Sequence, residues 1–278
     1  MERRRQAVLL ALPAALALLV FFLIPMAYIL LRTVRTNGFA DFIDFFTDPF
    51  YLDILWTTLR VSLISTGLSL ALGYPAAYYM ARTRSRARKW MMIVILFPFL
   101  VSAVVRSYGW MVILGANGLL NQGLLALGII SQPLKILNTE TAVIVGMIHL
   151  LIPYMILSLV GVLQSIDPNV EYAAYSLGAT PAQTFAKVVF PLSLPGILSG
   201  CVLVFTMSMT SYVTPKLLGG SKFRMMATMV VQEINVNFDW SAASAVSYIL
   251  LAVILAVQVV IVLLTSGYMK RMGGGKNG

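Results

Sequence analysis

Six long apolar runs alternate with shorter polar segments along the chain. They cover approximately residues 7–31, 61–80, 90–114, 141–163, 192–212 and 243–268. An α-helix rises about 1.5 Å per residue, so about 20 apolar residues cross the roughly 30 Å hydrocarbon layer of a bilayer. The pattern therefore predicts an all-α fold: a polytopic membrane protein with six transmembrane helices.

The first run follows the polar sequence MERRRQ and has to be distinguished from a cleavable signal peptide. Its length of about 25 apolar residues exceeds the core of a signal peptide, which is about 7–15 residues, and no small-residue cleavage site ends it cleanly. We expect a retained span, and a single transmembrane domain over residues 1–278.

The composition excludes a soluble protein and offers no catalytic motif. Hydrophobic residues make up 59% of the chain and charged residues 11%, against about 45–50% and about 25% in soluble domains. Cys201 and His149 are the sole residues of their types and lie in apolar runs, so neither a disulfide within the chain nor a metal site is expected. Without a metalloprotease, hydrolase or phosphate-loop motif, we expect no catalytic residue and no cofactor in this chain.

The distribution of charge predicts the orientation of the spans. Lys and Arg resist translocation, so loops rich in them stay in the cytoplasm. The basic residues are concentrated at Arg3, Arg4, Arg5, Arg82, Arg84, Arg86, Arg88, Lys89, Lys187, Lys270, Arg271 and Lys276. Both termini are therefore predicted to be cytoplasmic. This topology accounts for the net charge of +10, and the short basic loop, without interleaved aromatic residues, does not indicate nucleic-acid binding.

A polar, Ala-rich segment, residues 164–191, connects the fourth and fifth runs. Asp167 is a suitable helix cap, Pro168 suits a first helical position and Gly178 suits a left-handed stop. The pattern therefore predicts a short first helix that begins after Asp167 and ends at Gly178.

A second helix is predicted to follow at once. It would begin at Thr180 and Pro181 and continue to about Val189. Pro191 and Pro195 are predicted to break it where the fifth span begins, because proline removes a backbone donor and clashes with the preceding turn.

The first of these helices carries one compact face of small and apolar residues. Tyr172 and Tyr175 add aromatic anchors of the kind that dominate protein interfaces. The small-residue face is formed by Val170, Ala173, Ala174 and Leu177. This surface fits the approach of another protein, and the alternative is an ordinary loop that happens to be helical.

The segment resembles the EAA loop of ABC importer permeases, whose pattern is Glu-Ala-Ala-x3-Gly-x9-Ile-x-Leu-Pro. Aligned on Gly178, the chain has Tyr172-Ala173-Ala174, then Val188 and Phe190-Pro191, so the spacing holds across the motif. Tyr172 replaces the family's glutamate, and Glu171 lies one residue earlier. The stretches VVRSYGWMVILGANGLLNQGLL (104–125) and TSYVTPKLLGG (210–220) resemble the spermidine/putrescine branch of the binding-protein-dependent family.

The resemblance implies a transport subunit without its own ATPase site, in the inner membrane of a bacterium. In this family the EAA loop forms a coupling helix that sits in a cleft of a separate ATPase. The implied partners are two ATPase subunits that hold ATP and Mg²⁺, a second permease subunit that is expected to be a different chain, and a periplasmic solute-binding protein. The implied coupling residues are Glu171, Tyr172, Ala173, Ala174, Leu177, Gly178 and Pro191.

Polar and aromatic residues near the outer ends of the third and fifth spans are candidates for the solute path, because such residues in a membrane are by default functional. Tyr212 is the favoured gate residue, since an aromatic ring can plug a narrow path; its alternative is membership of the interfacial aromatic belt. The alternative for Arg106 and Lys216 is that they extend to the interface. The full set is Arg106, Tyr108, Trp110, Tyr212 and Lys216.

The solute is the least determined feature of the sequence. No Asp or Glu lies within the predicted spans, and polyamine-moving relatives often place an acid at or next to the position of Lys216. A polyamine-like solute is the leading prediction. The absence of acids from the spans and the cation at Lys216 favour the alternative, a zwitterion or anion such as an opine, an amino-acid derivative or an aminophosphonate. A secondary carrier is the alternative of another class, disfavoured by the lack of acids for ion coupling.

Overall fold

A computed structural model describes residues 12–13, 16–83 and 85–273, with side chains up to Leu263. Within those residues there is no β-strand, and the all-α prediction is confirmed. The α-helices are α1 (Ile24–Asn37), α2 (Ala40–Thr47), α3 (Pro49–Arg82), α4 (Arg86–Leu100), α5 (Ala103–Leu114), α6 (Leu119–Ala126), α7 (Glu140–Ser165), α8 (Pro168–Ser176), α9 (Pro181–Thr184), α10 (Phe190–Met209), α11 (Val213–Leu218), α12 (Met226–Gln232) and α13 (Trp240–Gly273). Three π-helical turns occupy Leu19–Leu23, Phe185–Val189 and Glu233–Asn237.

Six helical stretches in the described chain are long and apolar enough to cross a membrane, as predicted. They are Leu16–Asn37, Pro49–Arg82, Ala103–Ala126, Glu140–Ser165, Pro181–Met209 and Trp240–Leu263. Arg3, Arg4, Arg5, Arg84 and Lys276 lie outside the described residues, and the side chains of Lys270 and Arg271 lie beyond the described ones. The predicted orientation of the spans stays a prediction.

The chain divides into two compact units, of which the first joins the described residues up to Asp53 with Met229–Leu251. Hydrogen bonds tie α1 to α13 in this unit. The Thr33 hydroxyl donates to Ser244 Oγ at 2.8 Å, and the Tyr248 hydroxyl donates to the carbonyl of Met26 at 2.5 Å. Buried hydroxyl pairs of this kind satisfy polar groups that lipid cannot.

The second unit, Ile54–Thr228 with the chain from Ala252 onwards, is built around α7. One face of α7 is buried at every fourth residue, the spacing that keeps side chains on one helix face. These residues are Val143, Met147, Leu151, Met155, Leu159 and Leu163. Helix α10 packs along α7, and α4, α5 and α11 also pack against it. The central position of α7 explains why it is the most buried of the spanning helices.

The third predicted span, residues 90–114, is wrong as a single helix. The structure breaks it into α4 and α5, with Val101 and Ser102 between them. Pro98 lies in the last turn of α4, and Ser102 Oγ accepts from the Val105 N–H at 3.3 Å, which caps a new helix. The described span is instead Ala103–Ala126, formed by α5 and α6.

Two acidic residues lie near the starts of the helices that contain the second and fourth runs, outside the apolar runs themselves. Helix α3 begins at Pro49, well before the apolar run, and therefore contains Asp53. Glu140 is the first residue of α7 and pairs with the Arg60 guanidinium of α3. An ion pair lets both helices extend past their apolar runs, because each charge has a partner.

The predicted break at Pro191 and Pro195 does not occur. Both prolines lie inside the continuous helix α10, which follows the π turn Phe185–Val189. The π turn shifts the hydrogen bonding just before Pro191: the Phe190 N–H donates to the Phe185 carbonyl, five residues earlier. A widened turn at this point makes room for the proline ring, which an ideal α-helix lacks.

Asn121 organises the segment between α5 and α7. Its side-chain amide donates to the carbonyls of Gly115 and Leu134, both at 3.0 Å, and its Oδ1 accepts from the Leu134 N–H at 2.8 Å. The residue is fully buried. Three bonds from one side chain therefore join the two ends of this segment.

We expect Asn121→Ala to lower the apparent melting temperature of the purified protein in detergent. The substitution removes the acceptor of the Leu134 N–H and leaves the Gly115 and Leu134 carbonyls with one backbone donor each, at a cost of roughly 1–3 kcal/mol in the free energy of unfolding. Gln122→Ala is the matched control, because the exposed Gln122 amide makes a single bond, to the Asn117 carbonyl. Equal melting temperatures for the two variants would contradict the organising role of Asn121.

Candidate functional site

Helix α8 forms where the sequence predicted it. Asp167 Oδ1 accepts from the Asn169 N–H at 2.9 Å and caps the helix, with Pro168 at the first position. At the other end Gly178 has a φ of 85°. The Gly178 N–H donates to Tyr175, and the Ala179 N–H donates to Ala174, at 2.9 and 3.1 Å. This is the paired bonding of a Schellman stop, which needs a residue with positive φ.

Helix α9 begins two residues later with a reciprocal cap. Thr180 Oγ1 accepts from the Gln183 N–H at 3.3 Å, and Gln183 Oε1 accepts from the Thr180 N–H at 3.0 Å. The connection between α8 and α9 is therefore defined by backbone bonds on one side and a capping box on the other. The two helices form a rigid helix–turn–helix between α7 and α10.

Apolar and aromatic side chains of α8 and its stop are exposed. Tyr172 is 64% exposed and Leu177 is 89% exposed, with Ala173 exposed between them. We call the exposed residues Val170, Tyr172, Ala173, Tyr175 and Leu177 the docking face. Aromatic and leucine side chains presented together on a rigid helix are typical of a surface that another protein covers.

Glu171 is buried, unlike the exposed residues of the docking face. It is 7% exposed, and its Oε1 accepts from Arg82 Nε at 2.6 Å. Its Oε2 accepts from the Tyr78 hydroxyl at 2.8 Å. Both carboxylate oxygens are thus occupied by charged or hydroxyl donors of α3, which are strong partners for an ionised group.

The other predicted coupling residues separate into two groups. Ala174 is half-buried beside the docking face, and Gly178 forms the stop. Pro191 lies on the far side of the π turn, half-buried in the first turn of α10. The structure therefore places the predicted coupling residues in α8 and its stop, with Pro191 as the exception.

A polar cleft of about 960 Å³ adjoins α8 on the side of Glu171. Aromatic, basic and acidic side chains from α3, α4, α7 and α8 line it together. The lining residues are Tyr78, Ala81, Arg82, Arg88, Gln164, Asp167, Pro168, Asn169, Glu171, Tyr172 and Tyr175. The cleft brings the end of α3 to the start of α8.

Arg106, the first candidate for the solute path, bonds to the protein backbone. Its Nη1 donates to the Pro98 carbonyl at 2.8 Å, across the break between α4 and α5. An interrupted membrane helix leaves backbone carbonyls that need donors. The guanidinium of Arg106 supplies such a donor at the break.

Trp110 and Tyr108 lie on α5 in different environments. The Trp110 indole N–H donates to His149 Nδ1 of α7 at 3.0 Å, whereas Tyr108 is exposed. The bond to Trp110 makes His149 Nδ1 an acceptor, so the neutral ring carries its proton on Nε2. Trp110 thus joins α5 to α7.

Tyr212 and Lys216 lie at the start of and within the short helix α11. Tyr212 is half-buried at its N-terminal boundary, and Lys216 is exposed on its last turn. Helix α11 packs against both α5 and α7. The structure therefore brings the helices that carry the five path candidates into contact with each other.

Sequence reasoning missed the roles of Tyr78 and Arg82. Arg82 was counted only as one charge of a basic loop, yet it reaches Glu171, 89 positions away. The signal that could have found it is the spacing of Tyr74, Tyr78 and Arg82, which are four residues apart and so share one face of α3. Three hydrogen-bonding side chains in a row at the end of an apolar helix need partners.

Comparison with known proteins supports the resemblance seen in the sequence. Residues 69–270 match the family described as binding-protein-dependent transport system inner membrane component. The spermidine/putrescine transport system permease protein PotB of Haemophilus influenzae is 36% identical over 239 residues, which cover 83% of this chain and 84% of that protein. PotB of Escherichia coli K12 is 33% identical over 240 residues, covering 83% and 87%.

A solved structure shares the fold. It is a bacterial alginate ABC transporter in complex with a periplasmic protein that holds an alginate pentasaccharide, with a TM-score of 0.75 at 19% sequence identity. The match covers 98% of this chain and 96% of that one. The family match, the identity to two permeases and the six apolar helices agree with each other. The chain therefore belongs to the family of inner membrane components of binding-protein-dependent transport systems, and it is a multi-pass permease subunit of an ABC importer.

Proposed function

We propose that this permease moves a polyamine of the spermidine/putrescine type from a periplasmic binding protein into the cytoplasm, driven by a separate ATPase that docks on α8. The observation that carries the coupling role is the docking face, which is exposed, apolar and held by two well-defined helix ends. The similarity to PotB of two organisms supports the polyamine.

The proposed complex contains two ATPase subunits, a second permease and the binding protein. ATP and Mg²⁺ bind to the ATPase, and α8 and both chain termini lie in the cytoplasm. Basic residues beside α8 support this orientation, because loops with Lys and Arg remain on the cytoplasmic side. Arg86, Arg88 and Lys89 follow α3 directly, and Lys187 follows α9.

The mechanism follows from the rigidity of the helix–turn–helix. ATP binding draws the two ATPase subunits together. Their movement displaces the docking face of this chain and the matching surface of the second permease. Because α8 and α9 sit between α7 and α10, which pack along each other, the displacement reaches the spanning helices. A complete switch between inward-open and outward-open states needs about 5.5 kcal/mol of differential binding, for which ATP is the proposed source.

Aromatic residues of α5 suit a path for an organic cation. Tyr108 is exposed and Trp110 is half-buried, and aromatic faces attract alkylammonium groups. Asp53 and Glu140 add carboxylates near the starts of two spanning helices, outside the apolar runs. Lys216 is exposed on α11 and is the observation that favours an anionic or zwitterionic solute instead.

The test is solute-dependent ATP hydrolysis by the reconstituted complex. The permease is purified with its ATPase, second permease and binding protein, and hydrolysis is measured with spermidine, putrescine, amino-acid derivatives and organic anions. We expect stimulation of several-fold by a polyamine. Stimulation by an anion or zwitterion alone would overturn the proposed solute. No associated ATPase and uptake that survives ATP depletion would overturn the importer and favour a secondary carrier.

A further inference from the structure

We propose that Arg82 is a positioning residue that clamps α8 to the ends of α3 and α7, so that a push on the docking face moves α3 as well. This inference rests on the proposed function, in which α8 receives the push of the ATPase. Chain connectivity links α8 to α7 and α9. The Arg82 clamp adds α3, which the chain does not join to α8 directly.

The guanidinium of Arg82, a residue of α3, binds to two other helices at once. Its Nε and Nη2 lie 2.6 and 2.5 Å from Glu171 Oε1, at the start of α8. Its Nη1 donates to the carbonyls of Leu163 and Ile166, at 3.0 and 3.1 Å, at the end of α7. The last carbonyls of a helix lack partners within it, and a planar guanidinium can fill several of these positions in a fixed geometry.

A stripe on α3 extends the clamp towards α10. The Tyr78 hydroxyl donates to Glu171, and its ring lies 6.1 Å from the ring of Phe185 in an edge-on arrangement. One turn earlier, the Tyr74 hydroxyl lies 2.7 Å from Ser193 Oγ of α10. The final two turns of α3 are thereby bonded to α8 and α10 and packed on the π turn between them.

Burial distinguishes this ion pair from the pair of Arg60 with Glu140. The Arg82 and Glu171 side chains are 19% and 9% exposed, whereas those of Arg60 and Glu140 are more open to the surroundings. An exposed ion pair contributes little to the stability of the fold. Removing one partner of a buried pair is costly, because it leaves an uncompensated buried charge. The Arg82–Glu171 pair therefore resists separation when force acts on α8.

The same geometry argues against direct contact between Glu171 and the ATPase. Both carboxylate oxygens are bonded within the chain, and the side chain is buried, whereas the docking face is exposed. The exposed neighbouring position belongs to Tyr172. Glu171 acts by holding α8 in place, and the docking face makes the contact.

The experiment compares Arg82→Gln, Glu171→Gln and the double variant in the reconstituted complex. Tyr78→Phe is a milder variant, since it removes one hydrogen bond and leaves both charges. Arg88→Gln is the matched control, because Arg88 lines the same cleft and its substitution removes the same positive charge. The readouts are the yield of assembled complex, basal ATP hydrolysis, and solute imported per ATP hydrolysed.

We expect each charge variant to assemble and hydrolyse ATP while solute imported per ATP falls about tenfold, within the range of measured coupling effects. The double variant should lose no more than the single ones, because both remove the same link. Tyr78→Phe should lose about twofold to threefold, and Arg88→Gln should stay near the wild type. Wild-type import per ATP in both charge variants, or losses that multiply in the double variant, would overturn the clamp.

Hydrogen exchange of the α8 amides tests the clamp without any partner. In the purified chain, Arg82→Gln should speed exchange in Pro168–Ser176 about tenfold, while Arg88→Gln should not. Unchanged exchange in Arg82→Gln would overturn the clamp even if transport were lost. A wild-type complex that no solute stimulates, combined with faster exchange in Arg82→Gln, would overturn the proposed function and leave the clamp standing.

Discussion

Gly178→Val is expected to abolish most solute-driven ATP hydrolysis and transport while the protein remains inserted in the membrane. Gly178 has a φ of 85°, and a β-branched residue is a rare outlier in that region. The left-handed backbone conformation costs an L-residue about 1–2 kcal/mol of conformational free energy, and the cost is larger for valine than for alanine. The turn must then rearrange, and the docking face changes its angle to α9.

Open space around Gly178 makes this a test of backbone conformation alone. No atom lies within 4 Å of a Cβ built at this position. Gly178→Asn is the matched control, because asparagine tolerates positive φ and is accepted at this position of a helix stop. We expect the asparagine variant to keep most of the activity and the valine variant to lose about tenfold or more. Normal solute-driven hydrolysis in Gly178→Val would contradict the coupling role of α8.

Gly220→Ala is expected to destabilise the protein by about 2–5 kcal/mol, as the sum of left-handed strain and overpacking. Gly220 follows α11 with a φ of 72°, and an added Cβ would lie 2.6 Å from Asn138 Oδ1. Asn138 cannot easily retreat, because its N–H donates to the Leu218 carbonyl at 2.9 Å and its own φ is 63°. Helix α11, which carries Tyr212 and Lys216, would shift from its place.

Gly128→Ala separates the backbone strain from the overpacking. Gly128 has a φ of 70°, and nothing lies within 4 Å of its added Cβ, so this variant carries the strain without the clash. We expect Gly128→Ala to cost about 1–2 kcal/mol and to leave transport intact. Thermal unfolding in detergent and transport by the reconstituted complex measure both effects. Equal losses in the two alanine variants would show that Asn138 adapts and that the contact does not hold α11.

Local chemistry explains which parts of the candidate site could be predicted. Helix α8 begins at Pro168 after the Asp167 cap, and Gly178 stops it, as the sequence indicated. Caps and stops depend on residues within a few positions of each other, so the order of residues carries the information. The second helix was predicted to begin at Pro181, and it does.

Predictions went wrong where a residue found a partner or a backbone geometry that the pattern of apolar runs does not show. The break at Pro191 was expected from proline alone, but a π turn makes room for it. The third run was read as one helix, but Ser102 caps a new one and Arg106 bonds to the carbonyl at the break. The second run was placed at residues 61–80, whereas α3 begins at Pro49, and Arg60, just outside that run, pairs with Glu140 of α7.

The sequence by itself determined that the chain is helical, has six stretches long and apolar enough to cross a membrane, and carries the capped helix α8. Lipid offers no hydrogen bonds, so a long apolar run must satisfy its backbone within itself and becomes a helix whatever its neighbours are. Only the tertiary structure decided the role of Glu171, because its orientation depends on Arg82 and Tyr78 of α3. A buried carboxylate needs partners at hydrogen-bond distance, and the packing of the helices determines which residues come that close.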